Sequence, residues 1–290
     1  MPPDLPPAAQ QRLDRAAAAT AWTSLLAADS ATALAGVGLE PAGEVMGCVA
    51  VMLSPIYAGG CGYGAGLAPS VRLGGSRWSG YASYVSGMRA GYETAVRRLT
   101  DEAVRLGADG VVGIRLDRGR VGEGVDEFVA LGTAVRARSA ARPPRPFTTD
   151  RSGNEVAALL IAGWVPVALH VAVEIGTRHV DGQIIRQTSV LMSGTGNVEV
   201  TGYTDLMQRV RASVRAKLRA RVAAAGADGG LLSDLHTAHW HSDCYSYAGG
   251  DLNMLAVASG TSVARFAAPS TQARPVLALR PSSASAGGPR

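Results

Sequence analysis

The apolar positions of this chain follow one pattern twice. Val85, Met88, Tyr92, Val96, Leu99, Ala103 and Leu106 recur at three- and four-residue steps, and so do Leu206, Val210, Val214, Leu218 and Val222. That period puts one apolar stripe along a helix, ready to lie on a sheet. Each stripe ends in the same turn, Gly107-Ala108-Asp109-Gly110 and then Gly226-Ala227-Asp228-Gly229. A two-strand meander is predicted after each turn: Val111–Leu116 then Phe128–Arg136, and Gly230–Trp240 then Leu252–Arg265. Both closing strands carry Gly-Thr, at Gly132-Thr133 and Gly260-Thr261. Asp109 and Asp228 are expected to bond local amides just past their helices.

Upstream of each helix lies an apolar strand, Glu44–Met52 or Val167–Ile175. In the first, Val45, Val49 and Val51 alternate with Met46, Cys48 and Ala50, so both faces are apolar. Such a strand is buried on both sides. One helix covers one face only. The second cover is expected from the other copy of the pattern or from another subunit.

The copies also align by residue. Trp22-Thr23-Ser24 through Pro41 lies without gaps on Phe147-Thr148-Thr149 through Pro166. Self-similarity at this scale implies a duplicated unit. Short helices are predicted at Asp29–Val37, before Gly38, and at Asn154–Ala162, before Gly163. Ser152 and Glu155 form a capping-box pattern for the second. Asp181-Gly182, between extended runs, predicts a hairpin. The division expected is an N-terminal extension 1–21 with an Ala-rich helix, a first repeat 22–137 and a Pro/Arg-rich linker 138–146. A second repeat 147–266 and a disordered tail 267–290 complete it.

The blocks Gly43-Glu44-Val45-Met46-Gly47, Leu106 through Ile114, and Leu131-Gly132-Thr133-Ala134-Val135, in order around one long helix, resemble the YbjQ-like family, which is labelled for heavy-metal binding. The second copy keeps Gly226-Ala227-Asp228-Gly229 and Gly260-Thr261 but lacks the first-strand motif. The resemblance implies an α+β fold of two tandem dodecin-like repeats. Each would be a β-α-β-β antiparallel sheet carrying one long helix, plus a short N-terminal helix. It also implies ring-like assembly of five units, with extra short strands helping subunits join. No residue-level ligand motif carries over from the family.

Composition adds bounds. At 290 residues, 47% apolar and 18% charged, the chain is long enough for two domains. A net charge of +5 permits anionic partners without demanding nucleic acid. Cys48, Cys61 and Cys244 form no disulfide framework and fit a reducing cytoplasm. No run is long and apolar enough for a membrane span, and no signal peptide is read.

The most ligand-like cluster is His236, His239, His241 and Cys244, the right ligand types for a divalent ion such as zinc. On a regular strand His239 and His241 share a face and His236 points to the other. A bulge or hairpin could bring Cys244 back. The spacing fits no standard zinc pattern, and an exposed polar hairpin stands as the alternative. The glycine-rich loop 59–68 lacks the ending of a phosphate-binding loop. Glu123, Asp126 and Glu127 read as solvated hairpin charges. Arg209, Arg211, Arg215, Lys217, Arg219 and Arg221 form a basic helix face without interleaved aromatics, so nucleic acid is not expected. No catalytic constellation recurs. The expectation is a non-catalytic cytoplasmic homo-oligomer, with a metal-binding module at the His/Cys hairpin as the alternative.

Overall fold

A computed structural model of the chain describes residues 5–18, 24–53, 71–74, 81–140, 142–189, 197–242 and 250–266. Trp22, the glycine-rich loop with Cys61, Cys244 and the tail 267–290 lie outside the described residues.

The first half runs α1 (Pro7–Ala18), α2 (Ala28–Gly36), β1 (Leu39–Met52), β2 (Arg72–Leu73), α3 (Ala82–Arg105), β3 (Gly110–Gly122) and β4 (Val125–Ala137). The second runs β5 (Phe147–Thr148), α4 (Gly153–Ile161), β6 (Trp164–His179), α5 (Gly182–Thr188), α6 (Thr201–Ala224), β7 (Gly229–Ser242) and β8 (Asp251–Arg265). The protein is mixed α+β, with two four-stranded sheets of order β1-β4-β3-β5 and β2-β6-β8-β7. No helix among the described residues is long and apolar enough to cross a membrane.

The predicted stripes are the buried faces. Met88, Tyr92, Leu99 and Ala103 of α3 are buried, as are Leu206, Val210, Val214 and Leu218 of α6. Both long helices stop where glycine takes a left-handed conformation, at Gly107 (φ 64°) and Gly226 (φ 66°). The α4 capping box is formed: Glu155 N–H donates to Ser152 Oγ at 3.3 Å, and Ser152 N–H donates to Glu155 Oε2 at 2.9 Å.

The layers run first sheet, α3, second sheet, α6. One core joins Val45, Phe128 and Ala130 of the first sheet to Met88, Tyr92, Ala95 and Leu99 of α3, and to Val171, Val173, Ile175 and Leu255 of the second sheet. A second core packs α6 on Ala172, Met254, Ala256 and Ala258 from the opposite face of the second sheet.

Each sheet also contains a strand from the other half. β2 pairs with β6, at Arg72 with Thr177 and Leu73 with Gly176. β5 runs parallel to β3, at Gly110 with Phe147 and Val111 with Thr148. The halves expected as 22–137 and 147–266 thus exchange edge strands.

Two local readings differ from the structure. Asp181-Gly182 starts helix α5 instead of turning a hairpin. The Asp181 carboxylate accepts from Gln183 N–H and Ile184 N–H, both at 3.0 Å, which caps a helix N-terminus. The turn aspartates do not bond local amides either. Asp109 Oδ2 accepts from Ala137 N–H at 2.7 Å, and Asp228 Oδ2 accepts from Arg265 N–H at 2.8 Å. Each turn leads straight into a strand beside the closing strand, which sets the carboxylate against that strand's end.

Helix α3 lies close on β1 because Gly47 has no side chain. A Cβ there would sit 1.9 Å from the Ala95 carbonyl oxygen and 2.5 Å from Leu99 N, both backbone atoms. Gly47→Val is expected to cost about 3 kcal/mol or to prevent folding. Gly36→Ala, with nothing within 4 Å of its new methyl, should stay within about 1 kcal/mol of the parent. Urea unfolding followed by circular dichroism measures both.

Candidate functional site

Helix α3 of the first half covers a sheet of the second and forms an internal interface. Its polar centre is buried. Tyr81 Oη, just before α3, donates to Asn253 Oδ1 at 2.8 Å, and Thr177 Oγ1 donates to the same oxygen at 2.8 Å. The Tyr81 ring meets Trp240 edge to face at 6.1 Å. Burial pushes the Tyr81 hydroxyl above its ordinary value of 10.0. At the rim, Arg221 of α6 donates to Glu93 Oε1 of α3 at 2.6 Å. The predicted basic face is thus partly paired with acidic residues: Lys217 Nζ lies 3.1 Å from the buried Glu174, and Arg209 lies 2.7 Å from Asp205.

Strand edges complete the interface. Gly74 N–H, just past β2, donates to Ile175 O at 2.6 Å. Further along β6, Lys217 Nζ donates to Val173 O. In the first half Arg98 donates to Cys48 O in the same way. The Gly-Thr hydroxyls hold the segments that lead into each half: Leu25 N–H donates to Thr133 Oγ1 at 3.1 Å, and the Thr149 and Thr261 hydroxyls bond at 2.8 Å. Gly132 and Gly260 leave room beside them, since a Cβ at Gly132 would lie 2.8 Å from Val111 and one at Gly260 2.5 Å from the Leu231 carbonyl oxygen.

What the second half has covered, the first half leaves open. The spacing that aligns Gly38 with Gly163 sets Met46, Cys48 and Ala50 opposite Val171, Val173 and Ile175. The latter three pack on α3. By register, Met46, Cys48, Ala50 and Met52 share the outer face of the first sheet with Leu131, Val129, Glu127 and Val125. Met46, Cys48, Val129 and Leu131 are half-buried and Met52 is 74% exposed. Among the described residues nothing pairs with the outer edge of β1 or of β7, whereas their counterparts β6 and β3 carry β2 and β5.

The predicted metal ligands do not converge. His239 and His241 stand opposite Met254 and Leu252, on the α6 side of the second sheet, and His241 meets Tyr203 of α6. His236 stands opposite Val257, on the α3 side. One ion cannot be ligated from both faces of a strand. Cys244 lies outside the described residues. Among the described residues no group of three or more His, Cys, Asp or Glu is placed to hold a metal. Asp126 also departs from its reading as a solvated charge: it is 3% exposed and accepts from Arg118 Nε at 2.6 Å.

Parts of the chain are similar in sequence to known proteins. A family model described as "Putative heavy-metal-binding" matches residues 65–138. The chain is 34% identical over 184 residues to the encapsulin nanocompartment protein Rv1762c of Mycobacterium tuberculosis, a match covering 59% of this chain and 64% of that protein. It is 36% identical over 75 residues to a UPF0145 protein of Vibrio campbellii, covering 23% of this chain and 72% of that protein. A third relative, UPF0145 protein BH1111 of Halalkalibacterium halodurans, is 44% identical over 57 residues, with 20% of this chain and 53% of that protein covered.

Tyr81→Phe removes the buried hydroxyl that donates to Asn253 and should cost about 1–2 kcal/mol in urea unfolding. Because the folded-state pKa of Tyr81 is raised, its contribution is full below pH 10.0 and lost as pH rises through the folded value. The variant should therefore lose less stability than the parent between neutral and strongly alkaline pH. For the histidines, His239→Ala/His241→Ala should leave the metal content of the purified protein unchanged by plasma mass spectrometry.

Proposed function

The chain belongs to the YbjQ-like family of UPF0145 proteins, and from that membership we propose that it is a non-catalytic building block that joins copies of itself head to tail into a ring or larger particle. The observation that carries this is the open outer face of the first sheet. The matching face of the second sheet needs α3 to cover it, and the first sheet has the same apolar pattern without a cover. Helix α6 of a second copy is the element equivalent to α3. Arg211 and Arg215 stand in α6 where α3 has Tyr92 and Val96, by the spacing that aligns Gly107 with Gly226. Those cations suit a face that carries Glu127 and, on the adjoining β3, Asp117 opposite Val129.

An interface that uses different surfaces on its two partners propagates, and gives a ring where the rotation between copies closes. The open edges of β1 and β7 support the same polarity, because an unpaired edge is a template for another strand. Each chain supplies two units, so a closed ring of whole chains holds an even number of them. A five-fold ring would be made of five chains. The relative named as an encapsulin nanocompartment protein supports a particle-forming role.

Size-exclusion chromatography with light scattering tests the reading. The parent should elute at a multiple of 29.7 kDa, and Val129→Asp, on the outer face and outside the core clusters, should elute near that mass with little change in melting temperature. A monomeric parent, or a Val129→Asp protein assembled like the parent, defeats it.

A further inference from the structure

The two sheets part at one end, between β3 and β7, and leave a cavity of about 590 Å³ with Tyr92 of α3 among its walls. This space lies within one chain and does not depend on assembly. We propose that it binds a small linear zwitterion, a protonated amine at one end and a carboxylate at the other.

The amine end is set by Asp150. Its Oδ1 accepts from the Thr261 hydroxyl at 2.8 Å, while Oδ2 is buried without a hydrogen-bond partner among the described residues. The nearest cation, Arg151, places Nε 3.7 Å from Oδ1 and sends its guanidinium to Glu155, the Leu232 carbonyl and Ser233. A buried carboxylate oxygen left without a donor costs more than the 1–3 kcal/mol of a neutral group, as an order of magnitude. Asp234 lines the same end beside Ser259, its partner across the β7–β8 pair, and has no cation within ion-pair distance among the described residues. Two carboxylates and a hydroxyl suit an ammonium group. Among the described residues no third His, Cys, Asp or Glu joins them to form a group that could hold a metal.

The opposite end is cationic. Arg118 donates to Asp126 at 2.6 Å and to the Tyr84 hydroxyl at 2.7 Å. Arg120 shares the same carboxylate at 3.9 Å and is 77% exposed. Two guanidiniums on one carboxylate leave a positive charge for a ligand anion. Burial works against the Arg118 charge, but the Asp126 hydrogen bond prevails and raises its pKa above the ordinary value. Between the ends lie Leu116, Leu255 and Val257, with His236 across from Val257. Residues 114 and 118 of β3 are about 13 Å apart at strand rise, and arginine side chains shorten that span, which suits an ω-amino acid or a dipeptide. A simple anion would meet Asp150 and Asp234. A simple amine would leave the guanidiniums unmatched.

The probe is 6-aminohexanoate, with hexylamine and hexanoate as single-charge comparisons, titrated calorimetrically into the full chain. Saturable binding of 6-aminohexanoate, weaker for hexylamine and absent for hexanoate, is expected. Asp150→Asn should weaken it at least about tenfold, the loss of one charge-assisted hydrogen bond, and Arg120→Gln by a smaller factor. Asp234→Asn lies on an exposed strand position, so its loss of binding reads the site even where Asp150→Asn disturbs the Thr261 contact. No binding by the folded parent, equal binding of hexanoate, or unchanged affinity in both aspartate variants overturns the proposal.

Discussion

One helix serving two sheets is the constraint on which this molecule depends. Helix α3 lies between the first sheet and the second, and its buried Met88, Tyr92, Ala95, Leu99 and Ala103 belong to a core drawn from both halves. At about 1.5–3 kcal/mol for each large apolar side chain removed from water, this shared core does more to hold the halves together than any one hydrogen bond across them. The exchanged strands β2 and β5 follow from it. Once the halves are pressed together, each one's short flanking segment reaches the other's open edge and satisfies backbone groups there.

The same constraint explains why the two long helices differ. Helix α3 needs apolar character on more than one side. Helix α6, packed on one sheet only, needs a single stripe and carries arginines elsewhere. The two halves share the order short helix, long strand, long helix, two strands, and differ in their short elements and in surface. An outer sheet face is left over at one end and a basic helix at the other, and the assembly reading rests on that asymmetry.

The repeated turn shows how a motif can be structural without being local. Asp109 and Asp228 each bridge to the end of a closing strand, and Thr133 and Thr261 each hold the segment that leads into their half. Together they fasten the start and the end of each half to its sheet. The histidines, which look more like chemistry, are separated by strand alternation. The groups that gather around the cleft come from β3, β7, β8 and the turn before α4, so distant parts of the chain build it.

Residue order alone determined the two long helices α3 and α6, the short helices α2 and α4, and the long strands around them. Apolar spacing of three and four, alternation by two, and glycines at the helix ends are local rules that the chain obeys. The doubly apolar first strand called for cover on both faces, and within the chain its outer face stays open. Alternation also set His239 and His241 apart from His236 before any fold was known. Only the tertiary structure decided which sheet receives α3, which strands cross between halves, and that Asp126 is buried. Those outcomes depend on long-range packing: a carboxylate such as Asp126, one of three acids in a hairpin, is solvated or buried according to what folds over it.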